Sequence, residues 1–223
     1  DANDYQKDKF VAIHFSSLDI PIPGIFDIGR VDERMFYAIT PKCAGLTLDK
    51  LTSREMQAVL PAFMRVLDAT HNVDISQYSN YGTFDSQGNA LYKTWKHFIL
   101  DISDESQFKW LRLFQDTFLE KDIFELCFGC INELLRYIPE ERRLVHSDYR
   151  FHNVFADRHK ITGVIDWESA LFGDRLYDIA HMILWDKETD YGRLFYQHYQ
   201  SQGENIGRYD ERVLCYILHD GLA

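Results

Sequence analysis

Three side chains between positions 144 and 167 have the types and spacing to move a phosphoryl group: Asp148, Asn153 five positions on, and Asp166. Such a transfer needs a base beside the acceptor hydroxyl and oxygen ligands for a magnesium ion. Asp148, in His146-Ser-Asp148, supplies the base. The amide oxygen of Asn153 ligates a hard cation without adding charge, and Asp166, in Ile165-Asp166-Trp167, supplies the main metal ligand. Each has a plainer reading when taken alone. Asp148 is then a loop cap, Asp166 a turn residue, and His146 a hydrogen-bonded core histidine rather than a support that fixes the loop through its ring nitrogens. Their order on strand ends carries the chemistry.

The elements that must position these groups are legible around them. The apolar runs 143–146 and 161–165 read as buried strands, each with a carboxylate at its C-terminal end. Segments 153–156 and 161–165 flank the turn 157–160, a hairpin signal that puts Asn153 and Asp166 on neighbouring strand ends. The same order occurs in protein kinases as H-R-D, then Asn, then D-F-G, with Glu168 standing here for the glycine. Arg150 and His152, in the loop, read as phosphate contacts or as solvated loop positions.

Elsewhere the pattern gives a helix over 5–18, capped from Asp1 to Asp4, with Phe10, Ile13 and His14 on one face. Ile20-Pro-Ile-Pro23 stops it. Strands 25–28 and 35–40 follow around the turn 31–34. A helix over 53–72, capped by Thr52 or Ser53, carries Met56, Leu60, Phe63, Met64 and Leu67 at helical spacing. The Gly-rich stretch 81–89 reads as a surface excursion without a phosphate-binding context. Helices 95–100 and 108–118 precede a buried helix over 122–137 that Pro139 ends. Leu176, Ile179, Ala180, Ile183 and Leu184 then form the stripe of a helix with Asp174 as its N-cap, and helices 191–201 and 210–218 close the pattern.

The 223 residues carry 24 basic and 35 acidic side chains, a formal charge of −11 and a pI near 5.2. That balance argues against broad binding to nucleic acid or anionic membrane surfaces and suits a cationic substrate, although an ordinary acidic soluble protein has it too. Cys43, Cys127, Cys130 and Cys215 lack the spacing of a zinc site and the strand-to-helix context of a redox pair, so they read as reduced core thiols. With no signal peptide and no long apolar span, the expected location is cytoplasmic.

His146-x-Asp148-x-x-x-x-Asn153, Val164-Ile-Asp-Trp-Glu168 and Phe172-Gly-Asp-Arg-Leu-Tyr-Asp-Ile-Ala180 together resemble the aminoglycoside phosphotransferase family, and within it the hygromycin B phosphotransferases. Ile20-Pro-Ile-Pro23, Asp27-Ile-Gly29, Ala44-Gly-Leu-Thr-Leu48 and Tyr92-Lys-Thr-Trp95 extend the likeness through most of the chain. The resemblance implies an α+β, protein-kinase-like two-lobed fold: residues 1–42 as the remnant of an N-terminal nucleotide lobe, and 43–223 as a helical lobe bearing the catalytic loop. It implies ATP or GTP with Mg2+, and transfer to a hydroxyl of an aminoglycoside-like molecule by a monomer. It places the interlobe hinge at 41–45, where the backbones of Thr40, Lys42 and Cys43 meet the purine; a plain strand-to-helix turn fits that composition equally well. Asp178, with Asp174, would support the catalytic loop, the alternative being capping and first-turn charge. The acidic balance and the nearness in sequence of Glu168, Asp186, Asp101 and Asp104 to the motifs or the helical insert make them candidates to hold the amines of the acceptor; Trp167 and Trp185 read first as packing residues and second as walls of the acceptor pocket. Opening at Lys7 and Lys9, with no Glu to pair with a phosphate-gripping Lys, the nucleotide lobe is expected to lack upstream strands, leaving 25–28 and 35–40 at an open sheet edge. Other acceptors of the same fold, such as a choline-like amine, a sugar or an amino alcohol, remain open, as does a kinase-derived binding protein without turnover.

Overall fold

A computed structural model describes residues 2–223, so the capping expected of Asp1 lies outside the described residues. In chain order the elements are α1 (Ala2–Phe15), β1 (Asp27–Arg30), β2 (Phe36–Ile39), β3 (Leu46–Thr47), α2 (Ser53–His71), β4 (Tyr81–Phe84), β5 (Ala90–Tyr92), α3 (Trp95–Leu100), α4 (Glu105–Phe108), α5 (Trp110–Asp116), α6 (Lys121–Leu134), β6 (Arg143–Val145), β7 (Val154–Asp157), β8 (Lys160–Val164), β9 (Leu171–Gly173), α7 (Leu176–Trp185), α8 (Tyr191–Ser201) and α9 (Tyr209–Leu222). They pack as two compact units, one of residues up to 91 with 143–172, the other of 92–142 with 173–223.

In the first unit α2 is the organising helix. Thr52 and Glu55 close a reciprocal capping box at its start, the Glu55 carboxylate accepting from the Thr52 N–H at 2.9 Å. That device is worth about 1 kcal/mol. Its buried stripe, Val59, Phe63, Val66 and Leu67, meets β6 and β8, and Phe63 stacks on Tyr149 at 4.5 Å between ring centroids. Each such side chain contributes about 1.5–3 kcal/mol of burial. β7 and β8 form the expected antiparallel hairpin, with β3 added beside β7. Gly45 just before β3 is obligatory: its φ is +82°, and a Cβ there would lie 1.8 Å from the Ala156 carbonyl oxygen. β1 and β2 make a two-stranded antiparallel sheet.

Two expectations for this unit are corrected. The first helix runs 2–15, and its inward face is Lys7, Phe10, Val11 and Phe15, while Ile13 is 68% exposed and His14 is also outward. Helical spacing from Lys7 selects positions 11 and 15, and the basic residue concealed that face. The stretch 81–89, expected as a surface excursion, belongs to the hairpin of β4 and β5, with Phe84 and Ala90 buried. Asp85 closes its turn by accepting from the Gln87 and Asn89 N–H groups at 2.8 and 2.9 Å, and the buried Phe84 stacks on Phe172 at 4.4 Å.

In the second unit α7 packs on α8 and α9, and α6 on α9. The expected helix 108–118 is split, because Lys109 takes a left-handed conformation (φ 53°) between α4 and α5. Helix α6 is not the buried helix its apolar face suggested: Ile131 is buried, but Ile123 and Leu126 are half or more exposed. Phe124 packs on Trp110 at 4.3 Å and on Phe114 at 5.6 Å, both from α5.

Candidate active site

One buried histidine ties the two acidic loops together. His146 Nδ1 accepts the Asp148 N–H at 3.2 Å, which leaves the ring proton on Nε2, 3.1 Å from the Ile165 carbonyl it donates to. The residue after His146 and the residue after Ile165, Ser147 and Asp166, both have left-handed backbones at φ 66° and 69°. Such positions cost about 1–3 kcal/mol each for residues with a Cβ and persist only where their surroundings fix them. The left-handed bends thus fall one residue before Asp148 and at Asp166 itself.

Asn153 is buried and locked on both sides of its backbone, its N–H to Arg150 O and its carbonyl from Ile165 N, each at 3.0 Å. Its side-chain amide donates to the Asp148 backbone carbonyl at 3.1 Å and to the Asp148 carboxylate at 2.8 Å. The amide oxygen is thereby the end left over. Arg150 donates from Nε to the other Asp148 oxygen as a half-buried ion pair, which replaces the reading of Arg150 as a solvated loop position. Asp166 is exposed, and its carboxylate has no hydrogen-bond partner among the described residues. A neutral amide oxygen and a carboxylate on paired strand ends suit Mg2+, which takes one or two protein oxygens and completes its octahedron with phosphates and water. Among the described residues no group of three His, Cys, Asp or Glu could hold a metal ion instead.

Beside Asp166 a cavity of about 290 Å³ is walled by Ile22, Ile25, Ala38, Val164 and Ile165, with Thr40 and Asp8 also on its lining. Of the three residues expected at the hinge, Thr40 lines this cavity with Asp166; Lys42 is exposed, and Cys43 packs against Gly163. Burial pushes the Cys43 thiol up from its usual range. Trp167 lines the same cavity but is 1% exposed, its indole N–H on Val164 O at 3.1 Å and its ring 4.3 Å from His146, so packing is what holds it. Glu168 is exposed.

Sequence reasoning missed Asp8 and marked Lys7 only as a cation of the first helix. Lys7 Nζ donates to the carbonyls of Glu168 and Ala170 at 2.6 and 2.7 Å, and Asp8 accepts the Trp167 N–H at 2.9 Å. Burial drives both groups toward neutrality, pushing Lys7 down to about 8 and Asp8 up to about 6, and in each case outweighs the attraction between them. The charges of Asp166 and Glu168 add to the rise at Asp8.

The remaining expected site residues lie in the second unit, where most are engaged locally. Asp186 ends α7 and accepts from Glu188 N and the Tyr191 hydroxyl at 2.8 and 2.9 Å, while Trp185 is 59% exposed. Asp101 accepts from Tyr92 and Gln107, and Asp104 caps α4 through Ser106 N. Asp174 is fully buried and sits two residues before α7: it accepts Leu176 N at 3.0 Å, but its main partners are Arg212, at 2.7 and 2.9 Å, and the Tyr216 hydroxyl. The expected N-cap is therefore the anchor of a buried ion pair between α7 and α9. Asp178 is buried within the first turn of α7.

An Asp and an Asn from one loop, a second Asp from the next strand end, and an apolar cavity alongside define the class as a kinase-like phosphotransferase fold. The chain belongs to the phosphotransferase enzyme family designated APH, whose profile it matches over residues 2–213. It is 37% identical over 187 residues to the hygromycin-B 4-O-kinase of Escherichia coli, covering 82% of this chain and 53% of that kinase, so it spans about half of that relative's length. Among solved structures it is similar to a thermostable variant of aminoglycoside phosphotransferase APH(4)-Ia in ternary complex with AMP-PNP and hygromycin B, with a TM-score of 0.84 and 33% identity over 100% of this chain and 74% of that one. An aminoglycoside-3'-phosphotransferase of type VIII shares the fold at a TM-score of 0.66 and 18% identity, over 99% and 79% of the two chains.

Proposed function

We propose that this chain transfers the terminal phosphoryl group of ATP to a hydroxyl of an aminoglycoside of the hygromycin B type. The observation that carries the reading is the Asp148 carboxylate, aimed by Asn153 Nδ2 at 2.8 Å, on the loop that His146 ties to the Asp166 strand end. In this reading Asp148 orients the acceptor hydroxyl and takes its proton as the acceptor oxygen bonds to the terminal phosphorus, while the bond from that phosphorus to the bridging oxygen breaks and ADP leaves. A magnesium ion held by Asn153 and Asp166 supplies neutralisation of the phosphate charge when bound. The cavity at Thr40 and Ile165 takes the purine between aliphatic walls, at the small end of ligand cavities.

The acceptor assignment leans on the relatives' substrates and on the charge of −11, which favours a polycation. The same reading makes the protein a cytoplasmic monomer acting on a free small molecule, and no helix among the described residues is long and apolar enough to cross a membrane. The test is mass spectrometry of hygromycin B and of a choline, sugar and amino-alcohol panel after incubation with protein, ATP and Mg2+. Phosphorylated hygromycin B is expected, with acceptor affinity that weakens as salt rises. A preferred neutral acceptor, or no phosphorylated product at all, would overturn the proposal.

A further inference from the structure

We propose that Lys7 and Asp8 of α1 form a clamp on the turn 166–170, and that Asp8 is a positioning residue for the metal ligand Asp166. This rests on the phosphotransferase reading of Asp166 given above.

The clamp is built from two consecutive side chains acting on three backbone groups. Lys7 Nζ takes the carbonyls of Glu168 and Ala170, and Asp8 Oδ1 takes the N–H of Trp167, the residue bonded to Asp166. These partners lie 159 to 163 positions away in sequence, so α1 holds the turn from outside while the Ala170 N–H to Trp167 carbonyl bond, at 2.9 Å, closes it from within. A buried charged pair is weak support for stability alone, since apolar replacements of similar volume often do as well or better. What this pair supplies is directional. The carboxylate fixes the peptide that follows a left-handed residue, φ 69° at Asp166, which the exposed side chain of Asp166 does nothing to fix itself. A metal ligand displaced by rotation of that peptide would leave the oxygen pair it makes with Asn153.

The experiment measures the Mg2+ dependence of AMP-PNP binding by calorimetry for the unmutated chain, Asp8→Ala and Asp8→Asn, with amide hydrogen exchange at Trp167 as a second readout. Asp8→Ala is expected to raise the Mg2+ needed for half-maximal binding about tenfold, as for loss of one hydrogen bond to a charged group. Because Asp8 is also on the cavity lining, metal-free AMP-PNP affinity is measured for each variant, and the rise in Mg2+ requirement of about tenfold is read relative to it. Asp8→Asn keeps an oxygen that accepts the Trp167 N–H, and it should restore most of the Mg2+ response and keep that amide slow to exchange. A merely structural role would instead weaken metal-free and metal-dependent binding alike. An unchanged Mg2+ requirement in Asp8→Ala overturns the proposal, as does an Asp8→Asn variant as impaired as the alanine. Should Asp8→Ala fail to fold, rapid exchange of the Trp167 amide in the folded unmutated protein overturns it independently, and slow exchange there and in Asp8→Asn supports it. Absence of any AMP-PNP binding in the unmutated chain would count against the phosphotransferase reading, while the exchange arm still decides the clamp.

Discussion

The Asn153 side chain donates to the Asp148 carboxylate at 2.8 Å, so the residue assigned to the metal also aims the residue assigned to the acceptor. The two positions should therefore fail together. Asp148→Asn is expected to cut the transfer rate by about 100-fold or more, because base help and acceptor orientation go at once, while nucleotide affinity is largely kept. Asn153→Ala should lower the rate and raise the Mg2+ requirement as well. At saturating Mg2+ the double variant should fall little below the worse single one, since without the Asp148 carboxylate Asn153 has no base to aim. Rate losses that simply multiply would show that the two side chains act independently.

The second unit holds a histidine that the fold keeps neutral. His219 is buried beside the Tyr177 hydroxyl, 2.9 Å from its Nδ1, and burial pushes it down to about 4 from an ordinary 6.5. Between those two values the unfolded chain binds the proton and the folded one does not. Stability from this group is therefore lost as pH falls from about 6.5 to about 4, by at most about 3 kcal/mol. Asp8 works in the opposite sense: its raised value, about 6 against 3.8, makes the fold less stable as pH rises through that interval. The two slopes oppose each other, so a comparison isolates them. Urea denaturation from pH 4 to pH 7 should find His219→Gln, which keeps an acceptor for Tyr177, losing less stability toward acid than the unmutated protein. Parallel curves would mean that His219 takes up its proton without unfolding.

The phosphotransferase signature was legible because its contacts are local. Asp148, Asn153 and the Ile165 backbone meet across one loop and one hairpin, and their spacing is written directly in the chain. Lys7 and Asp8 were not legible, since their partners are backbone groups that any residue type supplies. The expected acceptor carboxylates show the converse difficulty. Asp101, Asp104 and Asp186 were marked by charge and proximity to motifs, yet the same short side chains are suited to capping and tight turns, and all three accept hydrogen bonds within their own local segments. In 81–89 the glycines at 82 and 88, both at positive φ, disguised a hairpin whose alternate residues Gly82 and Phe84 face inward.

The seating of Cys43 gives a test of the segment expected to form the hinge, one that does not depend on turnover. Gly163, the last residue but one of β8, leaves just enough room for the Cys43 side chain: a Cβ at 163 would stand 2.3 Å from Cys43 Sγ and 3.1 Å from its Cβ. The backbone around Cys43 is tied to the same strand by Thr162, whose hydroxyl donates to the Ala44 carbonyl at 2.6 Å, and Gly45 is seated against Ala156. The crowding cannot be relieved by shifting the segment as a whole. Gly163→Ala should then destabilise the protein by about 1–3 kcal/mol, the usual cost of overpacking. It should also weaken nucleotide binding through displacement of the neighbouring Thr40. Cys43→Ala removes the sulfur and should recover most of both losses in the double variant, while costing little alone at a half-buried site. The check is a double-mutant cycle read by urea denaturation and by AMP-PNP calorimetry. If Cys43→Ala does not rescue Gly163→Ala, the glycine is required for the strand itself and not for the approach of the segment around Cys43.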